Sequence, residues 1–297
     1  MKTFEIKKIL IPIDFSQPSL RAINPAVSLA KLTKAEITLI HVIDILPSTA
    51  SAFYYAVPAS PAYENDLIDV SNQHLNELAQ TIKKKGIEKV NIRSVTGRPH
   101  KEIVKLSKKI KADIIIMSTH GASGFTEFFI GSNTSRVVSH ALCPVLSIQK
   151  HITKSHFKDI IVPFRYKLHS REKVDYAIFI AKMYGATLHV LGVDTEGSKS
   201  NLRKMTLEGE KVKKSIEVSG VKCKLKVVSE SYLADSVLKY AKTISADLII
   251  ITSDMDKVSV SEYFMGPFAQ QIVNHSPIPV LSIRPAFKND TNDLPYY

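Results

Sequence analysis

The sequence predicts an α/β protein made of two tandem copies of one doubly wound domain, each with a five-stranded parallel sheet. Three observations carry that prediction. Short stretches recur in the same order and at matching spacing in the two halves of the 297-residue chain. Runs such as Ile114-Ile115-Ile116-Met117 are continuously apolar, as strands covered on both faces must be. Between the runs, apolar residues fall at helical spacing with lysines on the outer side.

The repeat is plain residue by residue. Lys7-Lys8-Ile9-Leu10-Ile11-Pro12-Ile13-Asp14 returns as Lys158-Asp159-Ile160-Ile161-Val162-Pro163-Phe164-Arg165. Ala112-Asp113-Ile114-Ile115-Ile116 returns as Ala246-Asp247-Leu248-Ile249-Ile250, and Pro144-Val145-Leu146-Ser147-Ile148 as Pro279-Val280-Leu281-Ser282-Ile283. This divides the chain into domains at 1–150 and 151–297, joined by the short polar stretch from Lys150 to His156. Strands are expected near 8–13, 36–42, 89–95, 113–118 and 144–148. In the second copy they are expected near 158–164, 187–193, 222–228, 247–252 and 279–283. Four helices per copy fit between them. Ile23, Val27 and Ala30 mark one helical face, and Ile103, Ser107 and Ile110 another. Residues 44–63, rich in Ala, Ser and Pro and holding Phe53, Tyr54 and Tyr55, read as a variable surface loop. Residues after Pro285 read as a polar tail.

Composition narrows the class further. Hydrophobic residues make up 44% and charged residues 23%, with mean hydropathy near zero, which is ordinary for a globular chain. Residues 1–150 hold 19 basic and 12 acidic residues, a balance of +7; the remainder holds 21 and 16, a balance of +5. The total of +12 favours anions without choosing among them. Two cysteines, Cys143 and Cys223, exclude a disulfide scaffold and argue against a zinc module. The stretch Met1 to Lys8 has no apolar core of a secretory signal, and no apolar run nears the roughly 18 residues of a membrane span. A cytoplasmic protein that does not enter membranes is the expectation.

Open parallel sheets bind ligands beyond the carboxyl ends of their strands, where strand order reverses. The residues that follow each strand therefore matter most. After the first come Asp14-Phe15-Ser16, and after the second Val42-Ile43-Asp44. After the fourth come Ser118-Thr119-His120-Gly121-Ala122-Ser123-Gly124, then Gly131-Ser132-Asn133-Thr134 opening a helix. Gly121 and Gly124 let the backbone bend close to a bulky anion. A helix start at Gly131-Ser132 offers free N–H groups and the positive end of the dipole to phosphate. Ser132 would either cap the helix or turn its hydroxyl to a phosphate oxygen. No P-loop and no Gly-x-Gly-x-x-Gly follows the first strand, so phosphates would be held from beyond the fourth.

These residues resemble the universal stress protein family in its tandem two-domain form, over about residues 5–285. The resemblance implies an adenine nucleotide alpha hydrolase-like, Rossmann-like three-layer α/β/α fold. It also implies ATP binding, with Mg²⁺ or Mn²⁺ as a charge partner. The family's phosphate signature is matched by Gly121, nine residues, then Gly131 and Ser132, with Ser118 standing where the family has its first glycine. Carried over position by position, Pro12, Ile13 and Asp14 lie beside the adenosine. Val42 contributes backbone to adenine, Gly121, Gly131 and Ser132 match the phosphate positions, Asn133 and Thr134 add donors on the same helix turn, and Met117, Ser118 and His120 complete the nucleotide-binding set. His120 is read as a hydrogen-bonding loop residue, and no catalytic residue is assigned. Gly97-Arg98-Pro99 resembles the family's exit from its third strand.

The second copy departs from this pattern. Arg165 replaces the aspartate, the loop Thr252 to Ser259 has no glycine, and Pro267 follows Gly266 where Ser132 follows Gly131. Asp254 and Asp256 read as an acidic exposed loop, since two carboxylates fall short of the six to eight oxygens of a calcium site. The C-terminal half is therefore expected to carry a degenerate site. The resemblance further implies pairing of fifth strands, Pro144–Ile148 with Pro279–Ile283, making the tandem a covalent pseudo-dimer that could pair again as a homodimer. The functional expectation is a stress-response sensor or binding module that holds ATP in its N-terminal domain. Alternatives are a stress protein acting through protein partners without nucleotide, or a weak ATPase. A pyrophosphatase or adenylate-transferring synthetase would show a Ser-Gly-Gly or His-Ile-Gly-His loop, and neither is present. Lysine runs at 83–85 and 108–109 read as solvated helix faces, without a nucleic-acid recognition motif.

Overall fold

The computed structural model describes residues 4–44, 61–119, 131–149, 155–164, 171–253 and 266–284. Most of the expected loop at 44–63, the residues His120, Gly121, Gly124, Arg165, Asp254 and Asp256, the joining residues 150–154 and the stretch from Pro285 on lie outside the described residues. Two compact units are present: Glu5–Ser155, and His156 onward together with Phe4, whose ring lies 4.4 Å from Tyr176.

In the first unit the elements run β1 (Lys8–Pro12), α1 (Gln17–Arg21), α2 (Ile23–Thr33), β2 (Glu36–Ile43), α3 (Pro61–Lys84), β3 (Val90–Thr96), α4 (Pro99–Ile110), β4 (Ile114–Ser118), α5 (Ser132–His140) and β5 (Val145–Ile148). Its strands lie in the order β3-β2-β1-β4-β5 with every described pairing parallel. The second unit runs β6 (Asp159–Phe164), α6 (Arg171–Tyr184), β7 (Thr187–Asp194), α7 (Lys199–Val218), β8 (Cys223–Ser229), α8 (Leu233–Thr243), β9 (Leu248–Thr252), α9 (Pro267–His275) and β10 (Val280–Ile283). Its order, β10-β9-β6-β7-β8, is the same topology. All ten strands start and end within one residue of expectation. The reason is that the apolar runs are central strands: Ile9, Leu10, Ile11, Ile114, Ile115 and Ile116 are fully buried. Burial of each contributes about 1.5–3 kcal/mol.

Two helical features differ from expectation. The helix after β1 is split at Ala22 into α1 and α2. Pro25 explains the break: it cannot donate to Arg21, so it is tolerated only within the first turn of a fresh helix. The chain after β2 becomes helical at Pro61, so Pro61–Tyr63 belong to α3 and not to the preceding loop.

Each unit fastens its central strands by the same device. Asp113, just before β4, accepts the backbone N–H groups of Lys7 and Lys8 on one carboxylate oxygen, both at 2.8 Å, while its own N–H donates to the Lys8 carbonyl at 2.9 Å. Asp247 does the same for Lys158 and Asp159, at 2.9 and 3.2 Å. A carboxylate shared by two N–H donors is a charge-assisted arrangement that fixes where β1 begins relative to β4. Asp113→Ala is expected to lower stability by about 1.5–3 kcal/mol, the range for hydrogen bonds to charged groups. Asp113→Asn, which keeps one acceptor oxygen, should lose less. Urea unfolding followed by circular dichroism measures both, and equal losses would argue against the clamp.

The second unit has a packing constraint of its own. A Cβ on Gly192 of β7 would lie 2.9 Å from both the Met205 sulfur and the Phe164 ring tip, all three residues being buried. One on Gly209, inside α7, would lie 2.7 Å from Leu225 and 3.0 Å from the same ring. The two glycines make room for Phe164. Gly192→Ala should therefore destabilise by about 1–3 kcal/mol, as overpacked cores do. Adding Phe164→Leu should recover part of the loss in the urea midpoint; no recovery would exclude the ring as the obstacle.

Candidate functional site

Strand order reverses between β1 and β4 in the first unit, so their carboxyl ends flank the crevice where such sheets take ligands. Ile9 pairs with Ile114 and Leu10 with Ile115; continued in parallel, this register brings Ile13 level with Ser118. The residues predicted from the two strand exits thus emerge at one end of the sheet.

At the β1 exit, Ile13 donates its N–H to the Ile40 carbonyl at 2.8 Å and is buried. Asp14 is exposed, and its Oδ1 accepts both the N–H and the hydroxyl of Ser16, at 3.0 and 2.5 Å. Ser16 in turn caps α1 by accepting the Ser19 N–H at 3.3 Å. Between them Phe15 sits at φ +62°, a left-handed conformation that costs a non-glycine residue roughly 1–2 kcal/mol. The local hydrogen bonds hold that strained turn. The Phe15 ring lies 4.6 Å from the His41 ring and 5.4 Å from that of His74 on α3. His41 Nδ1 lies 2.7 Å from the Ile13 carbonyl, so it carries the proton and donates. Val42 follows on β2, half-buried and paired with Val95.

At the β4 exit, Met117, Ser118 and Thr119 are buried. The Gly131 N–H donates to the Thr119 carbonyl at 2.7 Å, and the Thr134 hydroxyl to the Ser118 carbonyl at 2.8 Å. These two bonds stitch the first turn of α5 to the end of β4. Gly131 is the N-cap and no side chain caps the helix; Ser132, allowed by the sequence as the cap, is instead the exposed first helical residue. A Cβ at Gly131 would lie 3.3 Å from the Thr119 carbonyl oxygen, so the stitch is tight enough to favour glycine. The N–H groups of Ser132, Asn133 and Thr134 open the helix, where no intrahelical acceptor exists for them. That end of α5 carries the positive end of its dipole.

Sequence reasoning passes over His74 and His100, because each belongs to a helix and not to a strand exit. His100 is the second residue of α4 and hydrogen-bonds Asn133, at the start of α5. Burial holds its pKa below the ordinary 6.5, the Arg136 charge adds to the shift, and the bond to Asn133 opposes it. The chain reaches α4 through Gly97, at φ +140°, whose N–H donates to the Ile43 carbonyl at 3.0 Å. Of the predicted site residues, Pro12, Ile13, Asp14, Val42, Met117, Ser118, Gly131, Ser132, Asn133 and Thr134 stand at this end of the sheet; His120 and Gly121 lie outside the described residues.

In the second unit the corresponding helix α9 is again capped by glycine, Gly266, but its first residue is Pro267. Proline removes one N–H from the cradle. Buried Lys173 donates to the carbonyl of Pro163, at the β6 exit, at 2.7 Å. Among the described residues no group of three or more metal-ligating side chains occurs, and no helix is long and apolar enough to cross a membrane. Burial pushes the thiols of Cys143 and Cys223 up to about 12, so both stay protonated and unreactive at neutral pH.

The family model for the universal stress protein family matches the chain twice, at residues 5–149 and 156–284. The chain belongs to the universal stress protein family. Universal stress protein MJ0531 of Methanocaldococcus jannaschii is 36% identical over 149 residues, covering 48% of this chain and 82% of the relative. Universal stress protein MJ0577 of the same organism is 30% identical over 154 residues, covering 48% and 95%. The crystal structure of a universal stress protein from Archaeoglobus fulgidus matches 95% of this chain and 97% of its own, with a TM-score of 0.74 at 24% identity, a likeness of fold. As a universal stress protein with tandem domains, the chain carries two copies of this helix start, Gly131-Ser132 in one and Gly266-Pro267 in the other.

His100 gives this site a pH signature. With its folded pKa below 6.5, the unfolded chain takes up the proton first as pH falls. Its effect on stability is absent above the unfolded value and grows as a destabilisation as pH drops through 6.5 toward the lowered folded value. An NMR titration should place the His100 imidazole midpoint below 6.5. His100→Asn should shrink the drop in urea midpoint between neutral and mildly acidic buffer, and an unchanged drop would show that the group is not perturbed.

Proposed function

We propose that the N-terminal domain, residues 1–150, binds an adenine nucleotide, ATP, and that this cytoplasmic protein works as a stress-response sensor or binding module. The observation that carries the proposal is the start of α5: a glycine-capped helix end stitched to the end of β4, whose Ser118 is level in register with Ile13, the residue before Asp14. The donor set fits a polyphosphate chain. The N–H groups of Ser132, Asn133 and Thr134, the Ser132 hydroxyl and the helix dipole all favour anionic oxygen. Gly121 and His120 complete the family's phosphate signature in sequence. Asp14 stands where a ribose hydroxyl would be accepted, and the Val42 backbone where an adenine edge would be read. Met117 and Ser118 form the floor between them. A divalent cation, Mg²⁺ or Mn²⁺, bound with ATP would offset the phosphate charge.

The C-terminal domain, residues 151–297, is proposed to be degenerate. Pro267 lacks the donor and the hydroxyl, and Arg165 stands in the place of Asp14. One nucleotide per chain is therefore expected. Isothermal titration of purified protein with ATP, preceded by heat release and chromatographic identification of any nucleotide retained, tests both statements. Gly131→Asp places a carboxylate at the phosphate position and should weaken binding by at least about tenfold, or 1.4 kcal/mol. Wild type that neither retains nor binds ATP at millimolar concentration would end the binding proposal, and two nucleotides per chain would end the assignment of the second domain. Inorganic phosphate released in the same cell would reveal slow hydrolysis.

A further inference from the structure

The first unit has a second anion-favouring place, at the amino end of its sheet, opposite the nucleotide crevice. Lys8, Lys89, Arg93, Lys109 and Lys111 line one open cavity of about 480 Å³. Among the described residues the one carboxylate in its lining is Glu36, which pairs with Lys89 at 2.7 Å. Five cations thus face one anion. The volume falls within the roughly 300–1,000 Å³ of small-ligand sites.

The fold explains why the cavity stays open. Leu10 pairs with Thr38, Thr38 with Asn91 and Ile40 with Arg93, so Thr38, Asn91 and Arg93 share one sheet face by strand alternation. Ser94, one residue after Arg93, points to the opposite face, where its hydroxyl lies 2.7 Å from that of Ser71 on α3. So α3 covers the other side. On the cavity side, α4 packs over β1 and β2 and stops at Ile110. Past that stop Lys111, at φ +54°, turns the chain back toward β4. Part of the charge has a local partner: the Lys8 ammonium donates to the Ile110 carbonyl at 3.1 Å, as a cation at a helix C-terminus does. The Arg93 guanidinium donates to the Ile92 carbonyl at 3.0 Å, and among the described residues Arg93, Lys109 and Lys111 gather without a further carboxylate in the lining.

The second unit supplies an internal comparison. Its clamp aspartate holds Asp159 in the position of Lys8, which puts His189 in the position of Thr38 and Lys226 in that of Arg93. There a carboxylate, an imidazole and a phenol are linked in a row, Asp159 to His189 at 2.8 Å and His189 to Tyr240 at 3.2 Å. The Lys226 ammonium lies 4.8 Å from the centre of the Tyr240 ring. The scaffold therefore does not fix these positions: Asp159 and buried His189 stand where the first copy has Lys8 and Thr38, while Lys222, Lys224 and Lys226 stand where it has Lys89, Asn91 and Arg93.

We infer that this cavity is a binding site for a compact, multiply charged phosphate anion of the inorganic polyphosphate type. Among the described residues no aromatic side chain lines it, so it lacks the platforms on which bases of single-stranded nucleic acid stack. What it offers is ammonium and guanidinium groups with the neutral donors Thr38 and Asn91 between them. The site is independent of the nucleotide proposal.

Sodium tripolyphosphate is the probe, titrated calorimetrically into the full-length protein at low and physiological salt. Three variants accompany wild type: Arg93→Glu/Lys109→Glu in the cavity, Lys199→Glu/Lys214→Glu on α7 with the same change of net charge, and Gly131→Asp at the start of α5. The α7 pair and the cavity residues are exposed, so all reversals should fold, which circular dichroism verifies. The cavity pair should lose at least about tenfold in affinity, since two attractions at several ångströms become repulsions of about 1 kcal/mol each even in water. The α7 pair should stay within about twofold of wild type, Gly131→Asp should lose only the part of the binding that excess ATP competes away, and raising salt should weaken binding steeply. Three results would overturn the inference. One is equal loss in the cavity and α7 pairs, which means net charge alone. Another is loss in Gly131→Asp but not in the cavity pair, which places the anion at α5. The third is an oligothymidylate that binds tighter than tripolyphosphate at equal charge, which makes the surface a nucleic-acid groove.

Discussion

The paired N–H bonds to Asp113 and Asp247 are the constraint on which the functional end of each unit rests. A parallel strand pair can slide, and a slip by one residue turns every side chain to the other face. Between β1 and β4 only two residue pairs are in ladder register, Ile9 with Ile114 and Leu10 with Ile115. The carboxylate secures this short contact at its amino end. About 15–17 Å away along the strands, at roughly 3.3 Å per residue, the same register sets Ile13 against Ser118. The stitch from Gly131 and Thr134 to Thr119 and Ser118 then places α5. A loose start to β1 would move the Asp14 turn relative to the helix end, and no later contact in the crevice could restore the alignment.

Much of this was legible in the sequence, for physical reasons. A strand buried on both faces must be apolar throughout, so the runs marked every strand. Asp113 and Asp247 stood in the repeat because both copies need the clamp. What the sequence did not disclose depends on tertiary context. Phe15 carries no signal for a positive φ, since bulky residues avoid it; the Asp14–Ser16–Ser19 bonds impose it. His100 reaches the crevice because α4 and α5 pack together, a contact between elements some thirty residues apart. The capping role fell to Gly131 because its N–H is drawn to the Thr119 carbonyl, which leaves Ser132 one step into the helix. The break at Ala22, by contrast, was there to read in Pro25.

Duplication allowed the two copies to diverge against a common backbone. In the second unit an aromatic ring at Phe164 stands where the first has Ile13, and Gly192 and Gly209 yield the space. A glycine inside α7 costs about 1 kcal/mol relative to alanine, so its retention there measures how firmly the ring is packed. At this strand exit Pro267 opens the helix without an N–H and Lys173 donates to the Pro163 carbonyl. At the opposite end, Asp159, His189 and Tyr240 bind one another where the first copy leaves cations facing a cavity. At the amino end, then, the second copy pairs an added carboxylate with a buried imidazole while keeping Lys226 in the position of Arg93.

The two ends of the first unit differ in the kind of anion affinity they can have, and α4 links them. Its twelve residues span about 18 Å, with His100 beside Asn133 at one end and Lys109 before Lys111 at the other. At the α5 end the donors are backbone N–H groups fixed by helix geometry. Their attraction is directional and falls off within the first turn. At the amino end the donors are the tips of exposed lysines and an arginine, whose side chains lose rotamer freedom on ordering and whose field is cut by salt within about 8–10 Å. The negative end of the α4 dipole lies among them, which lowers their mutual repulsion in the absence of a ligand and lowers the gain when one binds. If both proposals hold, the α5 end would select by geometry and the amino end by charge, where five of the basic residues of this half of the chain converge.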